Sequence, residues 1–530
     1  MKQKNFAISG VRLLLLVFFG VTVFLPLLSM LSQIQWGQIP ALVQKENFQQ
    51  VFLHSLAVST LATLISVALA YLLAYAIHRT RIPCKKALTV LLTLPMLIPS
   101  ISHGIGLINL FGSNGLLTRA LNLSFDIYGF WGIVLGSVLY SFPVAFLMLS
   151  DAMNYADGSL YEAAKVLGIP KGSIFFCVTV QYMKRPLVSA LFAVFVMVFT
   201  DYGVPLSVGG RYTTLPVYLY QEVIGLMDYS RGAFIGLILL IPAIIAFLLD
   251  LKKKDEHGLG FVARPVVVEK NRLRDVCFGL FTLAVVLCVL VVLSSFGIMS
   301  VLTKYPYDLS LTTAHIETVL QKGLLEYLGN SLVIALSTAV IGTVVAYGSA
   351  YLTARTPGSW SNKLLHLVSI SSIAIPGIVL GLGYAICFSP TFLAGTITLL
   401  ALVNVIHFFS SPYLMALNAM KKLNENLEDV GKTLQVGRLR LLRDVFLPNT
   451  VDTVAEMFSY FFVNAMITIS AVAFLYRTAT MPLSMLISQM ESSMLFEAAA
   501  FISLVILGAN LLVKGAVGLV KWGYRRALTR

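Results

Sequence analysis

The chain has 530 residues, of which 58% are hydrophobic and 12% charged, and it carries a formal net charge of +14 at pH 7. A soluble domain carries roughly twice that share of charge, so the composition excludes a soluble globular protein and points to an integral membrane protein. Apolar stretches of about 20 residues recur along the chain, long enough to cross a bilayer as helices. The alternating pattern of a membrane β-barrel is absent.

At the N-terminus, Lys2, Lys4 and Arg12 accompany an apolar run from Val11 to Leu31. That run is too long for a secretory signal and lacks a small-residue cleavage site, so it reads as an uncleaved first span. Twelve spans are expected, near 11–32, 52–78, 87–111, 129–151, 187–208, 232–250, 277–302, 327–353, 364–388, 392–418, 452–475 and 494–520. Of the 38 lysines and arginines, seven fall in alternate loops: Lys45, Arg119, Arg211, Arg231, Lys304, Lys322 and Arg477. The other 31 fall on the opposite side. The positive-inside rule makes that side cytoplasmic and puts both termini there. The same asymmetry accounts for the net charge without a nucleic-acid partner. The five cysteines are scattered, with no metal-ligand spacing, and none falls in an outer segment.

The chain repeats itself. HSLAVSTLATLISVALAYLLAYAIHRT (54–80) aligns without gaps to NSLVIALSTAVIGTVVAYGSAYLTART (330–356), with nine of 27 positions identical and Arg79-Thr80 in register with Arg355-Thr356. IPSISHGIG (98–106) matches IPGIVLGLG (375–383), placing Pro99 opposite Pro376, and Thr214-Leu-Pro216 corresponds to Thr480-Met-Pro482. Each half then has six spans in the same order. An even number makes the halves parallel, related by an axis along the membrane normal. The expected organisation is a first transmembrane domain at 1–250, a basic cytoplasmic linker at 251–275 and a second domain at 276–530.

The longest cytoplasmic loop of each half lies between its fourth and fifth spans. In the second half it contains Gly431-Lys432-Thr433, which resembles the end of a phosphate-binding loop. That motif needs a glycine where Asn426 stands, and a buried strand where an apolar helix precedes it. Leu427, Val430 and Leu434 instead form one apolar stripe of a short helix. Leu160, Ala164 and Leu167 do so in the first half. Such helices either lie at the lipid headgroups or present themselves to a partner.

The first of these loops, LYEAAKVLG, carries Glu162, Ala163, Ala164, Lys165 and Gly168. It resembles the EAA loop of binding-protein-dependent ABC importer permeases, the MetI-like superfamily. The second copy is degenerate, with Glu428, Asp429, Gly431 and Lys432 at the corresponding helix and Gln435 in place of the motif glycine, but it keeps Leu447-Pro448 at the end. The resemblance implies an all-α polytopic fold of two six-span MetI-like repeats, with no catalysis and no cofactor bound by this chain. It implies that each loop helix couples to one of two cytoplasmic ABC ATPases, which hold the ATP. It also implies an extracytoplasmic substrate-binding protein and residence in a bacterial inner membrane, in contact with lipid.

Ionisable groups within spans are costly and therefore functional candidates. Asp201 sits roughly 20 Å up its span at about 1.5 Å per residue, either in the substrate pathway or exposed at the helix end. Tyr202, Pro99 and Pro376 join it as pathway candidates. His103 is expected to pack or bond locally, and Glu497 to serve as a helix N-terminal charge. The seven histidines do not pair at metal-ligand spacings. The run TDYGVP followed by VGG and TLP resembles permeases for ferric iron and for 2-aminoethylphosphonate, with the phosphonate branch favoured. Two other classes compete. A twelve-span secondary transporter would carry a glycine-aspartate-arginine loop where HRTRIPCKKA (78–87) stands, and a membrane enzyme would need convergent catalytic groups.

Overall fold

The computed structural model describes residues 2–122, 124–251, 266–356 and 360–528. Most of the expected linker, residues 252–265, lies outside them. Hydrocarbon offers a backbone no hydrogen-bond partners, so apolar runs must satisfy themselves as helices. Among the described residues, eight helices are long and apolar enough to cross a membrane, and three further pairs meet that test only as bent units.

The first half runs α1 (Ser9–Ser32), α2 (Glu46–Arg79), α3 (Lys85–Thr93), α4 (Ser100–Phe111) and α5 (Phe130–Asn154). It continues with α6 (Gly158–Val166), α7 (Gln181–Phe199), α8 (Gly203–Val208), α9 (Leu215–Tyr220) and α10 (Tyr229–Leu251). The second half opens with α11 (Arg272–Val301), then a small antiparallel hairpin, β1 (Leu302–Lys304) and β2 (Asp308–Leu311), paired Leu302 to Leu311 and Lys304 to Asp308. Next come α12 (Leu324–Arg355), α13 (Trp360–Ser371), α14 (Gly377–Phe388), α15 (Ile397–His407) and α16 (Ser410–Lys421). The chain ends with α17 (Leu427–Thr433), α18 (Val451–Ile467), α19 (Leu483–Ser492) and α20 (Phe496–Leu528).

Five of the twelve expected spans are not straight crossings over their expected residues. The third span of each half breaks, by 101° between α3 and α4 and by 108° between α13 and α14. Pro99 and Pro376 stand at the two breaks, each capping the helix that follows. Proline lacks an N–H and pushes the residue before it out of the helical region, and Ile98 and Ile375 are accordingly extended. The span expected at 392–418 bends by 54° between α15 and α16. The span expected at 452–475 is helical only over Val451–Ile467, and that expected at 187–208 stops at Phe199 before the separate α8. Apolar run length detects none of this, because a bent pair and a straight helix have the same composition.

Within each half the second span is the hub, with α2 packed on α5 and α7, and α12 on α15, α16 and α18. The first and last spans cross over. α1 and α10 pack on α13 and α14 of the second half, while α11 and α20 pack on α3 and α4 of the first. The repeated glycines explain how closely they can do so. A Cβ at Gly106 would lie 2.7 Å from Val292 of α11, and one at Gly383 would lie 2.8 Å from the carbonyl oxygen of Pro26 in α1. Beside this contact α1 contains a π-helical turn at Gly20–Phe24, and Tyr384 Oη donates to the Thr22 carbonyl at 2.7 Å.

Side chains confirm the internal repeat atom by atom, with one offset. Ser55 Oγ accepts from the Leu215 N–H at 2.7 Å, and Ser331 Oγ accepts from the Leu483 N–H at 2.6 Å. One residue earlier, His54 Nδ1 lies 3.2 Å from the Thr213 carbonyl, and Asn330 Nδ2 donates to the carbonyls of Ala479 at 3.0 Å and Met481 at 3.4 Å. By the serine contacts Leu215 corresponds to Leu483, two residues beyond the Met481 of the TLP–TMP match, while the Asn330–Ala479 bond keeps that match.

Gly383→Ala should destabilise the crossed packing by about 1–3 kcal/mol, the cost of overpacking a filled contact. Gly348→Ala, whose new Cβ meets nothing within 4 Å, should be neutral or stabilising by about 0.5–1 kcal/mol. Thermal unfolding of both variants in detergent checks the contrast.

Candidate functional site

The two loop helices share a construction. α6 is capped by Asp157, whose side chain accepts from the Ser159 N–H at 3.0 Å. Its C-terminus closes with Gly168 N–H donating to Lys165 and Ile169 N–H to Ala164, each at 3.0 Å, around a left-handed Gly168 with φ of +69°. α17 closes the same way. Gln435 N–H donates to Lys432 at 3.1 Å and Val436 N–H to Gly431 at 2.8 Å, with Gln435 itself at φ +56°. This paired-bond terminus favours glycine, so Gln435 pays a backbone cost that Gly168 does not.

The positions of the motif divide cleanly by exposure. Ala164 and its counterpart Gly431 are buried. A Cβ on Gly431 would already lie 3.4 Å from Leu441, so only a small residue fits between this helix and the one that follows. Glu162, Ala163, Lys165 and Gly168 are exposed, as are Asp429 and Lys432. Exposed apolar side chains stand beside them: Val166 at 88% and Leu167 at 76% in the first copy, Leu434 at 69% and Leu439 at 81% in the second. Lys432 Nζ lies 2.6 Å from Asp429 Oδ1 and holds that carboxyl below the usual carboxylate range. The Asp429 carboxylate therefore stays charged throughout the neutral range.

What fixes each helix to the membrane domain is the arginine that ends the second span. Arg355 makes a fork to Glu428, at 2.7 Å and 2.8 Å, and also donates to the carbonyls of Leu423 and Asn424. Its guanidinium lies 4.8 Å from the Phe446 ring centroid. In the first half Tyr161 occupies the place of Glu428, and Arg79 sits 5.2 Å from its ring centroid. Tyr161 Oη pairs at 3.0 Å with Thr179, which stands where Phe446 stands in the second half. Aromatic and polar partners have exchanged places around the same arginine. Thr80 and Thr356 close both second-span helices alike, bonding the carbonyls of Ala76 and Leu352. The first loop helix has a further tie, Lys165 Nζ to Glu269 Oε1 of the linker at 2.7 Å.

The membrane candidates fall into two places. Asp201 is 8% exposed, not exposed at a helix end, and its Oδ2 accepts from the Val204 N–H at 3.0 Å. Gly203, two residues on, packs directly against Ser100 and Ile101, bringing Asp201 to the Pro99 break. Tyr202 is buried with its ring 4.9 Å from Tyr220, which in turn lies 5.7 Å from Phe474 of the second half. Pro376 belongs to the other break, where a Cβ on Gly377 would meet Ser470 Oγ at 2.6 Å. A Cβ on Gly203 would meet Ser100 Oγ at 2.2 Å. A serine–glycine contact thus joins the third-span break to the end of the fifth span in both halves, with the two residues reversed. His103 is buried, its Nδ1 3.3 Å from the Ser100 carbonyl, and Glu497 lies in the first turn of α20.

Residues 66–251 and again 342–525 match the family described as "Binding-protein-dependent transport system inner membrane component". The chain belongs to this family. Each matched segment contains one of the loop helices and the fork or stack that anchors it. Among curated relatives, the ferric transport system permease protein FbpB of Actinobacillus pleuropneumoniae is 23% identical over 91% of this chain and 73% of its own. The Fe(3+)-transport system permease protein FbpB 2 of Haemophilus influenzae is 22% identical over 93% and 95%. The thiamine transport system permease protein ThiP of Escherichia coli is 25% identical over 70% and 68%. A chain of a bacterial alginate ABC transporter, solved with an alginate pentasaccharide-bound periplasmic protein, aligns at a TM-score of 0.40 with 17% identity, over 49% of this chain and 98% of that one. The relatives are permease components rather than enzymes, and this chain is a permease of the same kind.

Sequence alone missed the arginine anchors. Their signal was present, since Arg-Thr in register at 79–80 and 355–356 is a polar pair at the end of an apolar repeat. Arg355→Ala should release α17 by about 1.5–3 kcal/mol, the range for hydrogen bonds to charged groups. Faster amide exchange over 427–434 would report it. Gln435→Gly should slow exchange there, relieving about 1 kcal/mol of left-handed backbone cost.

Proposed function

We propose that this permease moves a small polar solute inward through the interface of its two halves, driven by two copies of a cytoplasmic ATPase docked on α6 and α17. The carrying observation is that each of the two family matches contains one such helix, anchored through an arginine to the second span. Exposed Glu162, Ala163, Lys165, Gly168, Asp429 and Lys432 would meet the ATPase, with Val166, Leu167 and Leu434 as apolar contacts. Buried Ala164, Gly431 and Glu428 would hold the helices in place. Motion of an ATPase would pass through Arg79 and Arg355 into α2 and α12, around which each half is packed. No cofactor is assigned to this chain, since the ATP would be held by the partner. The halves at 1–250 and 276–530, the linker at 251–275 and cytoplasmic termini belong to the same proposal.

Solute would arrive on an extracytoplasmic binding protein and pass the paired breaks at Pro99 and Pro376, with Asp201 and Tyr202 shaping the first. Ferric iron is the substrate to test first, because the two relatives named for iron align over nine-tenths of this chain. A thiamine permease stands at similar identity, so the test must include other cargoes. The phosphonate reading rests on the TDYGVP run alone.

Glu162→Lys and Asp429→Lys should each cut uptake at least tenfold while leaving the amount and thermal stability of the protein unchanged. Full uptake in both variants would remove the docking assignment. In proteoliposomes holding this chain and its ATPase, binding protein loaded in turn with ferric iron, 2-aminoethylphosphonate or a polyamine should stimulate ATP hydrolysis with one cargo only. Failure of every candidate ATPase to associate would overturn the docking role of α6 and α17.

A further inference from the structure

A cluster of charge near the end of the last helix has no part in the coupling or passage described above. Lys514, Gly518, Lys521 and Arg525 recur along α20 at the spacing that places side chains on one face of a helix. Glu456 and Ser459 of α18 stand opposite. Together with Val517 and Trp522 they enclose a cavity of about 380 Å³. It lies at the end of the molecule that carries α17, since Tyr524 Oη donates to the Pro448 carbonyl at 3.0 Å just beyond that loop.

Depth and charge point to one kind of occupant. From the start of α20 at Phe496, Lys514 lies about 27 Å along the helix at 1.5 Å per residue, close to the far limit of a hydrocarbon layer about 30 Å thick. Lys521, Trp522 and Arg525 then fall at headgroup level, where tryptophan and basic residues gather. Leu511, Leu512, Leu519 and Val520 are exposed on the same stretch of helix and offer an apolar surface to acyl chains. Two of the three cations are already paired, Lys521 with Glu456 at 2.5 Å and Arg525 with Asp452 at 2.6 Å. Lys514 makes no ion pair among the described residues. Arg526, 5.2 Å from the Trp522 ring centroid, adds a further cation beside the cavity, so positive charge exceeds the two carboxylates and suits an anionic phosphodiester. A polyphosphate would be repelled by the two carboxylates, and a zwitterionic headgroup would bring a second ammonium onto Lys514. Gly518 leaves the floor open, as a Cβ there would meet nothing within 4 Å.

We propose that this cavity binds the phosphodiester headgroup of an anionic phospholipid from the leaflet on the side of α6 and α17. Its phosphate would sit on Lys514 with the Ser459 hydroxyl and the Trp522 indole N–H within the same cavity, in the manner of basic pockets between membrane helices. The bound lipid would pin the C-terminal part of α20 to α18.

The test is thermal unfolding of the full chain in nanodiscs of phosphatidylcholine, with and without phosphatidylglycerol. The expected result is a rise in Tm of several degrees with phosphatidylglycerol. Lys514→Gln should abolish the rise by removing charge, and Gly518→Leu should abolish it by filling the cavity with every charge kept. Arg440→Gln, which deletes an exposed cation outside the cavity on the same side, should preserve it. A rise that survives both cavity variants would overturn the proposal, as would no rise in the parent chain. Inorganic phosphate reproducing the rise in pure phosphatidylcholine would overturn the lipid assignment and make the ligand a soluble anion.

Discussion

Every backbone polar group inside hydrocarbon must find a partner within the protein, and the two bent third spans are where this constraint bites. Each bend frees carbonyls and N–H groups at membrane depth. In the first half, the Leu97 carbonyl before Pro99 accepts from Asn510 Nδ2 of α20 at 2.8 Å, so the last span of the other half completes it. In the second half the completion is local. Ser410, at the bend between α15 and α16, donates to the carbonyls of Ser369 and Ile370 and accepts from the Ile373 N–H, all at 3.1 Å. Two breaks that look alike in sequence are thus satisfied by different neighbours.

The crossing of first and last spans follows from the same need. A bent span cannot shield its own concave side, and α1 with α10, and α11 with α20, cover it from the opposite half. Small residues at Gly106 and Gly383 let backbones approach where membrane helices have little hydrophobic drive to associate. The consequence is mechanical. Moving one half against the other must disturb contacts that each half makes with the other's first span, including Tyr384 to Thr22. Near the loop side, Arg12 of α1 is buried and bonds Thr356 at 2.8 Å and Ser361 at 2.9 Å. Asp275 of α11 likewise accepts from the Arg81 N–H at 3.2 Å. Each half's entry helix is therefore tied to the other half beside a loop helix.

The loop helices show function placed on a pseudo-symmetric frame without symmetric chemistry. Arg79 stacks on an aromatic ring, whereas Arg355 grips a carboxylate and two carbonyls. The second helix is fastened within its own half, and the first is fastened partly to the linker through Lys165 and Glu269. Degeneracy in the second motif is offset by this stronger anchor and leaves the helix geometry unchanged, down to the left-handed residue at its end.

Composition and hydropathy determined by themselves that the chain is an all-α membrane protein, because only backbone-satisfied helices of sufficient length suit its apolar runs. The register of the repeat was legible too, since Arg-Thr, the paired prolines and the paired glycines recur for reasons local to each helix. The loop helices were legible through their short apolar stripes and glycine-marked ends. Tertiary structure alone decided that third spans bend, that entry helices exchange, and that Asp201 is a buried cap on α8 beside the Pro99 break. It also decided which residues form an anchor, because Arg355 with Glu428, or Ser100 with Gly203, lie far apart in the chain and exchange partners between halves. Residue-by-residue likeness cannot report a contact whose two sides have traded places, since the packing conserves the contact and not the side that supplies it.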